Sequence, residues 1–141
     1  MRTTGIDADL SGFLERDLMQ RVPLSRHAVL LSTDGLMTAC TSDVDRKLGE
    51  KIAAVASGMQ SLSRTSSEFA TGDPASKWEQ TFVQFADGFL VLMAAGDGSH
   101  LAVAAAKDVD LLDLSYRMEK TVQGCKAILG QAPRQVTAGD A

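Results

Sequence analysis

The chain has 141 residues, of which 45% are hydrophobic, and this length and composition suit one domain with a single core. Its net charge of −4 and the lack of any Lys/Arg block argue against nucleic-acid binding, which depends on a cationic surface. No apolar run approaches the roughly 18 residues that cross a bilayer, and residues 1–9 lack a signal-peptide core. We therefore expect a cytoplasmic protein without direct membrane insertion.

The first third of the chain predicts a helix followed by a hairpin. Apolar residues at helical spacing predict the helix over residues 9–21, which ends before a proline. Residues 28–31 are a continuous apolar run, typical of a strand buried on both faces, and residues 36–41 predict a more polar partner strand at a sheet edge. The Asp-Gly pair at 34–35 favours a tight turn between them, because Gly tolerates a positive φ and Asp bonds its own backbone.

The middle of the chain predicts a second helix and then a loop. Asp43 or Asp45 caps this central helix, which runs to about Arg64. Residues 65–76 are rich in Ser, Thr and Gly and contain Pro74, so they predict a loop.

Three strands follow the loop. Residues 77–85 carry several polar side chains and suit a sheet edge. The nearly continuous apolar runs 89–95 and 100–106 suit the centre of the sheet, where both faces are covered. The Asp-Gly pairs at 87–88 and 97–98 favour hairpins between these strands.

The final helix starts at Asp108 or Asp110 and ends at Gly130, because glycine readily takes the left-handed conformation that closes a helix. The element order is therefore helix, two strands, helix, three strands, helix. We expect one folded domain over residues 9–130, a flexible segment at 1–8 and a disordered tail at 131–141.

The central helix has an apolar stripe and little charge. Large side chains repeat at 4-3-4-3 spacing and predict the face that packs on the sheet: Leu48, Ile52, Val55, Met59 and Leu62. No residue from 52 to 63 is charged, and the opposite face presents small side chains that let another helix approach closely: Ala53, Ala54, Ser57 and Ser61. We therefore expect a partner to cover the small-residue face, with an exposed, weakly polar helix as the alternative.

No constellation of residues in the sequence predicts catalysis. The segment 96–99 is glycine-rich but lacks the Lys-Ser/Thr of a phosphate-binding loop and joins two strands, so it predicts a hairpin turn. His27 and His100 lie at strand starts without further ligands at metal spacing. Cys40 and Cys125 match neither a metal site nor a redox pair and predict buried thiols. We expect no catalytic residue, no cofactor and no metal.

Three short segments are characteristic in combination: residues 31–36 (LSTDGL), 52–58 (IAAVASG) and 95–99 (AGDGS). Together they resemble the Roadblock/dynein-light-chain family, in the actinobacterial branch that is encoded beside a sensor-kinase-like protein and a small GTPase. The resemblance extends over about residues 10–129. It implies an α+β, profilin-like fold: a five-stranded antiparallel sheet with the central helix on one face and the terminal helices on the other.

The resemblance also implies what the protein does. Family members are non-enzymatic regulators or scaffolds of small Ras-like GTPases, and a related bacterial polarity protein is a GTPase-activating partner. The sensor-kinase-like membrane protein is a second implied partner, through which the chain could be recruited to the membrane. A small-ligand sensor of profilin- or PAS-like build is the alternative; it would need an apolar cavity with convergent polar groups, for which the small residues at 102–106 leave room.

A homodimer is implied through the central helix and the adjacent third strand. In an antiparallel pair with Ser57 at the two-fold axis, Ala53 lies opposite Ser61 of the partner subunit, and Glu50 lies opposite the partner's Arg64. Solvated Glu50 and Arg64 side chains are the alternative to that charge pair. The predicted dimer interface comprises Glu50, Ala53, Ala54, Ser57, Gln60, Ser61, Arg64, Trp78, Thr81 and Val83. The surface that binds the GTPase is not predicted.

Overall fold

The computed structural model describes residues 7–96 and 98–131. The predicted flexible residues 1–6 and the predicted tail from residue 132 onward lie outside this part of the chain. Asp7 and Ala8, which we expected to be flexible, belong to the fold. The Asp7 carboxylate accepts a hydrogen bond from the Leu10 N–H at 3.0 Å and caps the first helix, which begins at Ala8.

The predicted helices and strands are all present, and one short helix is added to them. The elements are α1 (Ala8–Leu14), continued by a π-helical turn over Glu15–Met19, β1 (Ser25–Ser32), β2 (Met37–Cys40), α2 (Arg46–Thr65), α3 (Ser67–Thr71), β3 (Gln80–Phe85), β4 (Gly88–Ala94), β5 (Ser99–Ala106) and α4 (Leu111–Gln131). Asp45 caps α2 and Asp110 caps α4, each through its own carboxylate.

Several predicted boundaries differ from the structure; β1, for example, begins at Ser25 and not at residue 28. Helix α3 lies inside the predicted loop 65–76 and ends at Gly72, whose φ of 83° is the left-handed conformation that closes a helix. Strand β3 begins at Gln80, because residue 79 is joined to β4 only by the hydrogen bond from the Ala94 N–H to the Glu79 carbonyl oxygen. Helix α4 runs past Gly130 to Gln131, since one glycine is tolerated within a helix.

The sheet is antiparallel throughout and has the strand order β2-β1-β5-β4-β3. The placement of β2 and β3 at the edges and of β4 and β5 in the centre is thus confirmed. Helices α1 and α4 pack on one face and α2 on the other, which confirms the predicted arrangement. The first face carries the larger core, built around Leu10, Leu14, Leu18, Leu101, Leu114 and Met118.

The orientation predicted for α2 is wrong in part: Ile52 and Met59 pack against the core as predicted, but the other three members of the predicted stripe are exposed. Its buried side consists of small residues and one amide: Gly49, Ala53, Ala56 and Gln60. Leu48 and Val55 are each 43% exposed and Leu62 is 74% exposed, so these large side chains point away from the sheet. The side chains of Leu31 and Met37 fill the space between the sheet and α2. Only small helix residues can therefore pack closely against them.

The two edge strands of the sheet differ in whether another element of the chain covers them. The β2 edge is covered by α1, whose Ser11 Oγ accepts a hydrogen bond from the Cys40 N–H at 3.2 Å. The Glu15 carboxylate just beyond it accepts one from the Ser42 N–H. Strand β3 has a hydrogen-bonded neighbour only on its β4 side within the described residues. An unpaired edge of this kind can add a strand from another chain.

Gly88 is needed for close packing rather than for its φ. The hairpin turn lies at residues 86–87, and Gly88 opens β4. A Cβ built on Gly88 would lie 2.6 Å from the carbonyl oxygen of Ala105 on the neighbouring strand. Backbone cannot yield as a flexible side chain would, so any side chain at this position strains the sheet.

We therefore expect Gly88→Ala to lower the free energy of unfolding by about 1–3 kcal/mol, measured by urea denaturation. Gly12→Ala in α1 is the matched control, since its Cβ would meet only the flexible end of Arg16 at 3.1 Å. Equal stability of the two variants would show that the sheet relaxes around the new methyl group.

Candidate partner-binding surface

The outer side of α2 carries a continuous row of apolar side chains. We call Leu48, Ile52, Val55, Met59 and Leu62 the outer stripe; Ile52 and Met59 are half-buried at its flank. Phe69 on α3 stands seven residues beyond Leu62 and is 96% exposed. Alternating 4-3 spacing repeats every seven residues and is typical of a seam between two packed helices. The exposed members of the outer stripe, Leu48, Val55 and Leu62, thus have the spacing of a helix-packing surface and are not covered by any described residue.

An apolar groove of about 160 Å³ borders the outer stripe, between the first half of α2 and the sheet. Its walls are formed by His27, Ala28, Val29, Val44, Leu48, Ile52, Leu90, Ala102 and Ala104. This is the space that the small residues of β5 leave open. It lacks the convergent polar groups of a small-ligand pocket and suits an apolar side chain.

The apolar surface continues from the groove to the β3 edge. Val83 pairs with Leu90 and Phe85 pairs with Gly88, and paired residues of an antiparallel sheet share a face. Thr81 pairs with Leu92, which lies in the core beneath α2. Val83 is half-buried and Phe85 is 59% exposed, so the described residues cover this face of β3 only in part.

Several of the predicted interface residues on α2 are engaged within the chain. Ala53 is fully buried against the sheet, and Gln60 is also buried. The Ser57 hydroxyl donates a hydrogen bond to the Thr33 carbonyl oxygen at 2.8 Å, which holds the β1–β2 turn against the helix. Part of the face that we predicted to meet a second helix, Ala53 and Ser57, therefore meets this chain's own sheet and turn.

The remaining predicted residues of α2 are exposed. Glu50 forms an ion pair with Arg46 one turn earlier, at 2.9 Å, and both side chains are about half exposed. Ala54, Ser61 and Arg64 are also exposed. An exposed ion pair of this kind contributes only about 0–1 kcal/mol to stability. The Glu50 side chain could therefore leave Arg46 and pair with another cation at little cost.

The predicted residues near β3 form a connected group. The Trp78 Nε1–H donates a hydrogen bond to the Thr81 hydroxyl at 2.8 Å. That hydroxyl also lies 2.8 Å from the Ser63 hydroxyl of α2. Trp78 contacts His100 edge to face, with ring centroids 5.5 Å apart. The structure thus brings Trp78 and Thr81 together with the end of α2.

The two cysteine thiols are held in their protonated form. Burial raises the pKa of the Cys125 thiol to about 11, helped by the charge of Asp17. Burial, with Asp43 and Glu15, also raises the pKa of the Cys40 thiol, so both thiols are protonated at neutral pH. Within residues 7–96 and 98–131, no group of three or more His, Cys, Asp or Glu residues could hold a metal ion.

A polar cluster that sequence analysis missed joins the π-helical turn to α4. Asp17 Oδ2 accepts hydrogen bonds from the Thr121 hydroxyl at 3.1 Å and from Arg117 Nη2 at 3.3 Å. Arg21 forms an ion pair with the same carboxylate at 3.5 Å. Only the Asp17–Arg21 spacing is visible in the sequence, since Arg117 lies 100 residues away.

No helix in the described part of the chain is long and apolar enough to cross a membrane. The family model of the Roadblock/LC7 domain matches residues 14–105. A solved Roadblock/LC7 domain from Streptomyces avermitilis is 32% identical, with 86% of this chain and 98% of that one covered and a TM-score of 0.77. A second such structure from the same organism is 30% identical, with 84% and 99% covered and a TM-score of 0.66.

MglB from Myxococcus xanthus is similar in fold alone, at 13% identity, with 89% of this chain and 98% of that one covered and a TM-score of 0.73. No curated protein matches the chain. The residues matched by the family model extend from the end of α1 into β5. The sheet and helix layers that the family resemblance implied are also the ones observed. The chain belongs to the Roadblock/LC7 family.

Proposed function

We propose that this chain is a non-enzymatic homodimeric regulator or scaffold that binds a small Ras-like GTPase. The observation that carries the homodimer is the outer stripe, which exposes three large apolar side chains at seven-residue spacing: Leu48, Val55 and Leu62. Burying one such side chain contributes about 1.5–3 kcal/mol, whereas association costs about 4–15 kcal/mol. The outer stripe alone would therefore barely offset the cost of association, so we expect the groove and the partly covered face of β3 to form part of the dimer interface as well.

The dimer geometry follows from the stripe. Two copies of α2 related by a two-fold axis that crosses them pack antiparallel. With Val55 at the axis, Leu48 faces the partner's Leu62 at each end, so the apolar rows coincide. This register replaces the one centred on Ser57, because Ser57 and Ala53 are already engaged within the chain. The free edges of β3 then lie on the same side of the molecule as the paired helices.

The GTPase partner is supported by membership of the Roadblock/LC7 family. The protein would supply surfaces, since its thiols are held protonated and its described residues hold no metal cluster. The two-fold pair would present one composite surface to the GTPase. Recruitment to the membrane would come through the sensor-kinase-like partner, because no described helix could cross a membrane.

Val55→Arg tests the dimer. Two guanidinium groups would meet at the two-fold axis, and we expect sedimentation velocity to show a monomer where the parent chain gives a dimer. Leu112→Arg on α4 is the matched control, because it makes the same change at a side chain that is 85% exposed on the other side of the sheet. A Val55→Arg protein that sediments as the parent does would exclude the outer stripe as the interface.

The GTPase is tested by affinity capture from native extract of the producing organism, with GDP and a non-hydrolysable GTP analogue compared. We expect the parent chain to retain a Ras-like GTPase in a nucleotide-dependent manner, identified by mass spectrometry. The Leu112→Arg and Val55→Arg proteins serve as dimeric and monomeric baits. Recovery of no GTPase in either nucleotide state by the dimeric baits would contradict the proposed partner.

If the chain stimulates hydrolysis, we expect it to act by repositioning the GTPase's own groups. The competing mechanism is an arginine supplied in trans, which is worth about 10³–10⁵ in rate. Arg64 is exposed at the end of α2 and is the arginine to test. We expect Arg64→Ala to retain stimulation in a single-turnover assay. Stimulation that disappears while the dimer stays intact would identify Arg64 as the supplied arginine.

A further inference from the structure

A second concave region lies at the opposite end of α2 from the apolar groove. It is a cleft of about 920 Å³ between the end of α2, the segment before β3, the β4–β5 hairpin and α4. At this end of the sheet β3 begins only at Gln80, opposite Met93, so Ala94 at the end of β4 has no β3 residue paired with it. Its volume falls within the range of small-ligand sites.

One histidine in the cleft has an unsatisfied polar atom. His100 lines the cleft, is only 6% exposed, and its Nδ1 is buried without a hydrogen-bond partner. Burial and the nearby positive charge of Arg64 lower its pKa, so the ring is neutral at physiological pH. A neutral imidazole offers one donor and one acceptor, and a buried polar group without a partner is costly.

Three cations line the cleft: Arg64, Lys77 and Lys126. None of them forms an ion pair with a described residue. The Lys126 side chain passes close to Gly96, whose φ is 83° and where a Cβ would lie 2.9 Å from the Lys126 Cδ. Glu79 and Glu119 also line the cleft, so its charge favours a singly charged anion over a polyanion.

We propose that this cleft binds a small organic monoanion, such as a carboxylate with an attached planar or apolar group. The acidic group would lie near Arg64 and Lys126, beside His100, and the apolar part would lie against Trp78. Trp78 is suited to this contact because its Nε1–H is already bonded to Thr81, which fixes the ring. The proposal is independent of the GTPase and of the dimer.

Trp78 supplies the readout, since it is the single tryptophan in the chain. The probes are sodium benzoate and uncharged benzyl alcohol, titrated into the parent protein at pH 7 and constant ionic strength. We expect benzoate to change the Trp78 fluorescence saturably and benzyl alcohol to bind at least about tenfold more weakly. Isothermal calorimetry on the same samples separates binding from fluorescence quenching by the probe.

Variants at the exposed cations locate the site. We expect Arg64→Gln and Lys126→Gln each to weaken benzoate binding by about tenfold, whereas Arg26→Gln and Lys107→Gln, at the other end of the sheet, leave it unchanged. Both Arg64 and Lys126 are exposed, so their variants are expected to fold. Absence of saturable benzoate binding, or equal binding by all four variants, would overturn the proposal. A further outcome would also overturn the proposal. If the Arg64→Gln or Lys126→Gln variant lost GTPase capture while the parent protein bound no benzoate, the cleft would be a protein-docking surface.

Discussion

The close approach of α2 to the sheet is the constraint on which the rest of the molecule depends. Gly49, Ala53 and Ala56 let the helix backbone settle onto side chains that already fill the sheet face, and a Cβ on Gly49 would overlap the Met37 thioether. Close-packed interiors admit no larger side chains at such positions without strain. Leu48, Val55 and Leu62 are therefore exposed, and no described element of the chain covers them.

The same asymmetry appears at the edges of the sheet. Helix α1 closes the β2 edge with side-chain acceptors, and the Asp17 cluster ties the π-helical turn that follows α1 to α4. These contacts tie α1 to the edge of the sheet and the π-helical turn to α4. The α2 side has a smaller core, an apolar groove and an open strand edge.

Sequence patterns predicted the element order, the edge strands and the two helix layers, because hairpin turns and apolar runs are local signals. They did not predict the direction in which α2 faces. The spacing of Leu48, Val55 and Leu62 defines an apolar face but cannot say whether that face meets a sheet or another helix, and the burial of Ala53 against the sheet was not predicted. The cleft around His100 was also missed, because it joins segments that are distant in sequence.

Disulfide cross-linking tests the central claim, that α2 pairs with a second copy through its outer stripe, most directly. Cys40 and Cys125 are buried, so a cysteine introduced on α2 is the accessible thiol among the described residues. The account predicts that Val55→Cys forms a covalent dimer under mild oxidation, because residues at a two-fold axis come within disulfide reach. It predicts that Ser57→Cys, on the inner flank, does not. A covalent dimer from Ser57→Cys and none from Val55→Cys would contradict the account and restore the register centred on the small residues.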